Sequence, residues 1–215
     1  IRQNGELENG LVSIGASENA LRLVLLSRLE KFHEQYPHVR LRISNHSTPQ
    51  AIQALRSDIV DFAAVTTPLD IKSPLEKIPL ASYREILIGG RKYKKLAEHT
   101  QKLEDIASLP FISLDENSST RELYNSFFLE HGLSFAPDME TATTDQMLPL
   151  ITHNLGIGFY PKKMAELALT KGDVYQIPLE EKLPLRRIYL VTNGSTAKST
   201  AVRKMIKFIQ EYHKI

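Results

Sequence analysis

Apolar residues along this chain switch repeatedly between alternate spacing and three-to-four spacing, and each switch marks a new element. Leu11 and Ile14, among small residues over 11–15, predict a short strand that stops at a Ser17-Glu18-Asn19 turn. From Ala20 to Tyr36 the residues Leu21, Leu25, Leu29, Phe32 and Tyr36 recur at helical spacing, and Pro37 ends the helix. Val39, Leu41 and Ile43 alternate with Arg40, Arg42 and Ser44, the pattern of a strand with one polar face. Thr48-Pro49 reads as the N-cap and first-turn proline of a helix through Arg56. Phe62-Ala63-Ala64-Val65 is an unbroken apolar run, as in strands covered on both faces. Strand, helix, strand, helix, strand in succession suits right-handed βαβ crossovers and an α/β sheet.

A second series begins after Tyr83. Ile86-Leu87-Ile88 predicts a strand ending at Gly89-Gly90, and Phe111-Ile112-Ser113-Leu114 predicts another. A helix from Ser119 to His131 is expected to open on the capping box Ser119-x-x-Glu122 and close at Gly132. Asp138 to Thr141 reads as extended, and Thr143-x-x-Gln146 as the start of a short helix to Thr152. Gly156-Ile157-Gly158-Phe159-Tyr160 predicts a buried strand closed by Pro161, with a helix after it. Arg187 to Thr192 is a strand, and Val202, Met205, Ile206, Ile209 and Tyr212 mark a last helix. The expected organisation is two lobes, 11–82 with 187–215 and 83–186, joined by two extended crossings that leave a cleft.

Composition narrows the function classes. Hydrophobic residues make up 42% and charged residues 24% of 215, enough for ordinary globular cores. Lys and Arg total 27 against 25 Asp and Glu, so this surface as a whole is not that of a nucleic-acid or anionic-membrane binder. No cysteine is present, which removes disulfides, thiolate zinc sites and a cysteine nucleophile, and fits a reducing cytoplasm. No apolar run approaches the roughly twenty residues that span a bilayer. The opening Ile1-Arg2-Gln3-Asn4-Gly5-Glu6 has neither the basic nor the apolar part of a secretory signal, and a start on Ile suggests a fragment of something longer.

Catalytic patterns are missing. His33, His38, His46, His99, His131, His153 and His213 show no metal-ligand spacing. Gly156-x-Gly158 has Pro161 where a third glycine would complete a dinucleotide fingerprint. No Walker loop or G-x-S-x-G elbow occurs. Glu180-Glu181-Lys182 reads as a solvated loop and Arg91-Lys92-Tyr93-Lys94-Lys95 as a solvated basic face. No cofactor, metal or enzymatic activity is expected.

What recurs instead is a strand end rich in hydroxyl and amide groups. Ser17, Glu18 and Asn19 follow the first strand, Thr66 and Thr67 close the Phe62 strand, Ser118, Ser119 and Thr120 follow the Leu114 strand, and Thr143 and Thr144 follow the stretch to Thr141. Most precede a helix N-terminus, where free N–H groups and the helix dipole favour anions and polar groups. In open α/β sheets ligands bind beyond the carboxyl ends of the strands. Any one of these residues is adequately explained as an N-cap; together they point to a site for a small polar ligand. The first helix also carries Leu23, Val24 and Leu26 outside its core stripe, either because it is deeply buried or because this arc meets another subunit.

The segments Gly10-Leu-Val-Ser-Ile-Gly-Ala-Ser17, Phe32-His-Glu-Gln-Tyr-Pro37-His-Val-Arg-Leu41 and Asp61-Phe-Ala-Ala-Val65, in that order, resemble the regulatory domain of LysR-type transcriptional regulators. Leu109-Pro110-Phe111-Ile112 and Asn154-Leu-Gly-Ile-Gly-Phe-Tyr-Pro161 continue the resemblance, which runs from about Asn9 to Tyr212. The resemblance implies a two-lobed type 2 periplasmic-binding-protein-like α/β fold with an effector cleft, no enzymatic activity, and a winged helix-turn-helix DNA-binding domain before residue 1. It also implies a cytoplasmic homodimer or homotetramer in which the first helix packs near the second lobe of a partner, favouring the interface reading of Leu23, Val24 and Leu26. Ser17 and Asn19 match the first effector loop, Thr66 the end of the third strand, and Thr120 and Thr143 the second lobe. Asn19 departs from a frequent Thr and Leu26 from a frequent Pro, while Glu18 puts a carboxylate in a loop expected to receive anions. A solute-binding protein of a transport system shares this fold and is the alternative.

Overall fold

Strand β1 (Leu11–Ala16) has only one residue, Leu11, outside the core, because it is central in its sheet and covered on both faces. The computed structural model describes residues 10–212; the leader reading of residues 1–6 and His213 lie outside them. The chain forms two compact units, one running to Ala81 and resuming at Arg187, the other Ser82–Arg186.

In the first unit β1 pairs in parallel with both β2 (Arg40–Asn45) and β3 (Phe62–Thr66). The five-stranded order is β2-β1-β3-β10-β4, with β4 at Leu75–Tyr83 and β10 at Arg186–Asn193 antiparallel to β3. Alternation along β3 sends Ala63 and Val65 to helix α2 (Thr48–Arg56), where they meet Ala51, Ala54 and Leu55. The opposite face is covered by α1 (residues 18–35) and α7 (Thr200–Glu211), joined by an edge-on Phe32–Phe208 contact at 5.5 Å. Along β2, an edge strand, the predicted alternation holds from Val39 to Arg42 and then breaks, with Ile43 exposed and Ser44 half-buried.

Helix α1 begins earlier than its apolar spacing predicts. Ser17 is its N-cap, accepting from the Ala20 amide at 3.2 Å, so the expected turn is in fact the cap and first residues of Glu18–Ala20. The helix then passes through a π-helical segment, Leu21–Leu25, before Leu26–Gln35. The Leu26 amide bonds to Leu21 O, five residues back. One extra residue in a turn advances the apolar stripe by about 100°. Val24 and Leu25 are therefore both buried, which corrects the placement of Val24 on an outer arc; Leu26 is 51% exposed and Leu23 half-buried. In α2 the cap is Ser47, not Thr48. Ser47 and Gln50 form a capping box, which frees the Thr48 hydroxyl to donate to Thr66 O at 2.9 Å.

In the second unit β5 (Glu85–Gly90) lies antiparallel between β8 (Ile157–Pro161) and β9 (Val174–Ile177). Strands β6 (Ile112–Leu114) and β7 (Met139–Thr141) are parallel, and a Phe111–Ile157 bridge joins them to β8. Leu87 faces an aromatic cluster of Phe111, Tyr124, Phe127, Phe128 and Phe159, while Ile86 and Ile88 face Met147, Ile151 and Ala165. The covering helices are α3 (Leu103–Ile106), α4 (Ser119–Glu130), α5 (Met147–Thr152) and α6 (Lys162–Lys171). Gly156 and Gly158 are explained by close approach: an added Cβ would stand 2.6 Å from Pro110 O and 2.9 Å from Ile112 O. Strand β9, α3 and the exposed edge strand β4 have too few periodic residues to be read from sequence. Glu181 is no solvated loop residue, since its carboxylate accepts from the Leu103 amide at 2.9 Å and caps α3 from 78 positions away.

Candidate functional site

Parallel pairing brings the carboxyl ends of β1, β2 and β3 side by side, with Ala16 opposite both Asn45 and Ala64. The Ser17 amide donates to Ala64 O at 3.0 Å and the His46 amide to Ala16 O at 2.9 Å, so the register extends one residue past the strands. Ser17, Asn19 and Thr66 are all buried here, at the start of α1. Ser17 and Thr66 each have a local reason to stay. Ser17 caps α1, and the Thr66 amide and carbonyl both bond the Thr48 hydroxyl. Thr67 is fastened to β10, donating its amide to Arg187 O at 3.0 Å and accepting from the Arg187 amide at 2.9 Å. Glu18 lies 3.9 Å from the Arg22 guanidinium one turn on, which partly offsets its charge.

The second unit builds a separate cluster by the same geometry. Leu114 pairs with Thr141 at the ends of β6 and β7, and the Asp115 amide donates to Thr141 O at 2.9 Å. The chain then turns into α4, whose N-cap is Ser118 rather than Ser119; its hydroxyl accepts from the Thr120 amide at 3.1 Å, and the predicted box with Glu122 does not form. Ser118 and Thr120 are buried, while Ser119, Thr143 and Thr144 are half-buried. Thr143 heads a 3₁₀ turn, Thr144–Gln146, and its carbonyl accepts from the Thr141 hydroxyl at 3.3 Å.

Sequence reasoning misses the charged groups beneath this second cluster. Arg186 is fully buried and donates to Glu85 Oε1 at 2.8 Å and to Thr120 Oγ1 at 2.9 Å, with the Tyr83 ring 5.4 Å away. The other Glu85 oxygen accepts from the Tyr124 hydroxyl. Burial works against the Arg186 charge, but the Glu85 carboxylate and the two tyrosines more than offset it, so its pKa lies above the usual guanidinium value. Burial, and then Glu85, push the Tyr124 phenol well up, which keeps it a donor. Glu85 and Arg186 are 101 positions apart and no local pattern links them. Arg121, also buried, reaches Leu114 O at 3.2 Å and Glu140 at 3.6 Å.

Among the described residues no three His, Asp or Glu side chains gather as metal ligands. The His131 and His153 rings bond carbonyls four residues back, and His46 bonds Ser44. No helix among the described residues is long and apolar enough to cross a membrane.

Comparisons with known proteins identify the family and the fold. Residues 5–214 match the LysR substrate binding domain family. The "Uncharacterized HTH-type transcriptional regulator YeiE" of Escherichia coli (strain K12) is 21% identical over 94% of this chain and 68% of its own length. A "Probable RuBisCO transcriptional regulator" of Guillardia theta is 24% identical over 91% of this chain and 64% of its own. Among solved structures, the effector binding domain of QuiR in complex with shikimate superposes with TM-score 0.82 at 19% identity, covering 95% of this chain and 97% of that one. The Synechocystis PCC6803 CcmR regulatory domain in complex with 2-PG superposes with TM-score 0.83 at 15% identity, covering 94% and 96%. The fold is that of two-lobed LysR regulatory domains, and with the family match spanning nearly the whole sequence, this chain belongs to the LysR substrate binding domain family.

Proposed function

We propose that this chain is the effector-sensing and oligomerising domain of a LysR-type bacterial transcriptional regulator, acting in the cytoplasm by binding a small polar or anionic metabolite rather than by turnover. The observation that carries the reading is the set of buried polar residues Ser17, Asn19 and Thr66 at adjoining carboxyl ends of parallel strands, beside the start of α1. Buried polar groups cost stability when unneeded, and this is where open α/β sheets bind ligands. Glu18 and Thr67 flank that cluster in the first unit, and Ser118, Ser119, Thr120, Thr143 and Thr144 form the candidate effector contacts of the second unit. A family match to LysR regulators, not to transport proteins, supports regulation over solute capture.

An effector with different affinity for two conformations would shift their populations, and through them the DNA contacts made by a helix-turn-helix domain elsewhere in the protein. The relatives are named as HTH-type or transcriptional regulators and extend beyond the matched part, which supports that division of labour. Leu26, with the half-buried Leu23, supplies the α1 part of a homo-oligomer surface, and exposed Leu167 on α6 offers an apolar residue on the second unit for a partner's α1 to meet.

A thermal-shift screen of small metabolites that includes shikimate and 2-PG, the compounds bound by QuiR and CcmR, tests the reading. A hit should raise the melting midpoint of the wild type and lose that increment in Ser17→Ala and Thr66→Val, each measured against its own ligand-free midpoint. Retention of the full increment in both variants would remove the site assignment.

A further inference from the structure

We propose that Arg186 is a positioning residue that fixes Thr120 as a hydrogen-bond donor, so that the start of α4 selects an oxyanion, a carboxylate or phosphate group, on the effector. This rests on the reading of Thr120 as an effector contact and adds the chemical class that it accepts.

The argument is one of donor and acceptor inventory. A guanidinium only donates, and a threonine hydroxyl has one proton and two lone pairs. With Arg186 Nη2 at 2.9 Å, the Thr120 oxygen must accept, and its own proton is left for another acceptor. Ser118 is in the same condition, because its oxygen accepts from the Thr120 amide at 3.1 Å. Both hydroxyls at the start of this 12-residue helix therefore keep a proton to donate, while the Thr120, Arg121 and Glu122 amides are already taken up by Ser118.

The guanidinium is itself held in place. Glu85 takes it at 2.8 Å, Tyr124 takes the second Glu85 oxygen, and Arg186 is fully buried, so rotation of one side chain cannot release Thr120. The Arg186–Glu85 pair is close to neutral as a unit, so its contribution is hydrogen-bond polarity rather than net charge. A second observation lies below it. Ser113 is fully buried with a hydroxyl that has no hydrogen-bond partner among the described residues. Strand alternation puts it on the Phe111 face of β6, the side that α4 covers, near the end where α4 begins. A buried hydroxyl left open there is a further donor on the same side.

The experiment follows backbone amide resonances of 118–121 during titration with inorganic phosphate and, separately, acetate. Wild type should show saturable shifts; response to phosphate alone assigns a phosphate group, and to acetate alone a carboxylate. Thr120→Ser should keep the response and Thr120→Val lose it. Removing both charges together, Glu85→Met with Arg186→Met, avoids a buried unpaired ion, and this folded variant should bind about tenfold more weakly. Arg186→Lys, which still donates, should restore most of the affinity. Should the double variant not fold, the Val and Ser variants at 120 decide.

Wild-type affinity in the double variant, or in Thr120→Val, overturns the proposal. If neither anion moves the wild-type resonances while a metabolite still stabilises the protein through Ser17 and Thr66, the oxyanion class is wrong and the effector-sensing function stands. Were no metabolite to bind either, the functional reading itself would fall.

Discussion

Ser17 at the end of β1 is held by a hydrogen bond to a residue three positions away, whereas Thr120 at the start of α4 is held by Arg186, 66 positions away. The two clusters sit at equivalent places, strand ends feeding helices, and are supported by different physics. The first unit uses caps and backbone bonds among neutral groups, Ser17, Ser47, Thr48 and Thr66, around a core of small aliphatic residues. The second packs its polar residues over interlocked aromatic rings and spans them with a buried ion pair. A neutral cap can be lost at modest cost, but a buried ion cannot lose its partner cheaply. The second cluster should therefore be the more rigid and the less tolerant of change.

Separating the pair gives the largest expected effect. Arg186→Met leaves the Glu85 carboxylate buried without its guanidinium and should destabilise the second unit by about 3–5 kcal/mol. Chemical denaturation followed by hydrogen exchange at β5 amides measures this, and a loss under 1 kcal/mol would erase the contrast between the clusters. On the other side, Ser17→Ala and Ser47→Ala each remove a cap and should cost about 1 kcal/mol in the first unit. A cost at Ser17 matching that of Arg186→Met would mean that its cluster is not held by local caps alone.

Tyr124 sharpens the comparison through pH. Its pKa is raised in the folded protein, so its protonated form contributes stability fully below its unfolded value of 10.0, and that stability is lost as pH rises further. Unfolding of the second unit should steepen with pH above that point in the wild type and flatten in Tyr124→Phe, as followed by circular dichroism. Equal slopes would rule out Tyr124 as the alkaline-sensitive group. Leu26→Glu touches neither cluster and should change stability by no more than about 0.5 kcal/mol. Its effect belongs to assembly, where sedimentation should show a shift towards monomer.

Much of the local structure was legible because short-range periodicity governs it. The stripe from Leu21 to Tyr36 marked α1, and the unbroken Phe62 to Val65 run marked a strand covered on both faces. The caps of α2 and α4 were each placed one residue late, and the two errors share a cause. Ser47 and Ser118 each precede a second hydroxyl residue that could have served, and only the backbone path shows which side chain turns back to the helix. Val24 was misplaced because a π turn shifts the stripe without changing composition. Glu181 looked like one of several solvated acids until the fold brought the Leu103 amide to it.

Local patterns along the chain carry the α/β class, the family and the polar strand ends at which we propose that a ligand binds, since each depends on residues close in sequence. Tertiary structure alone decided which of those hydroxyls are buried, how they are oriented, and that Arg186 lies under Thr120 with Glu85 as counter-ion. Periodicity records which face of an element is apolar. It carries no record of which distant charge must follow a polar group into a low-dielectric interior, because that pairing is enforced only when the chain closes on itself.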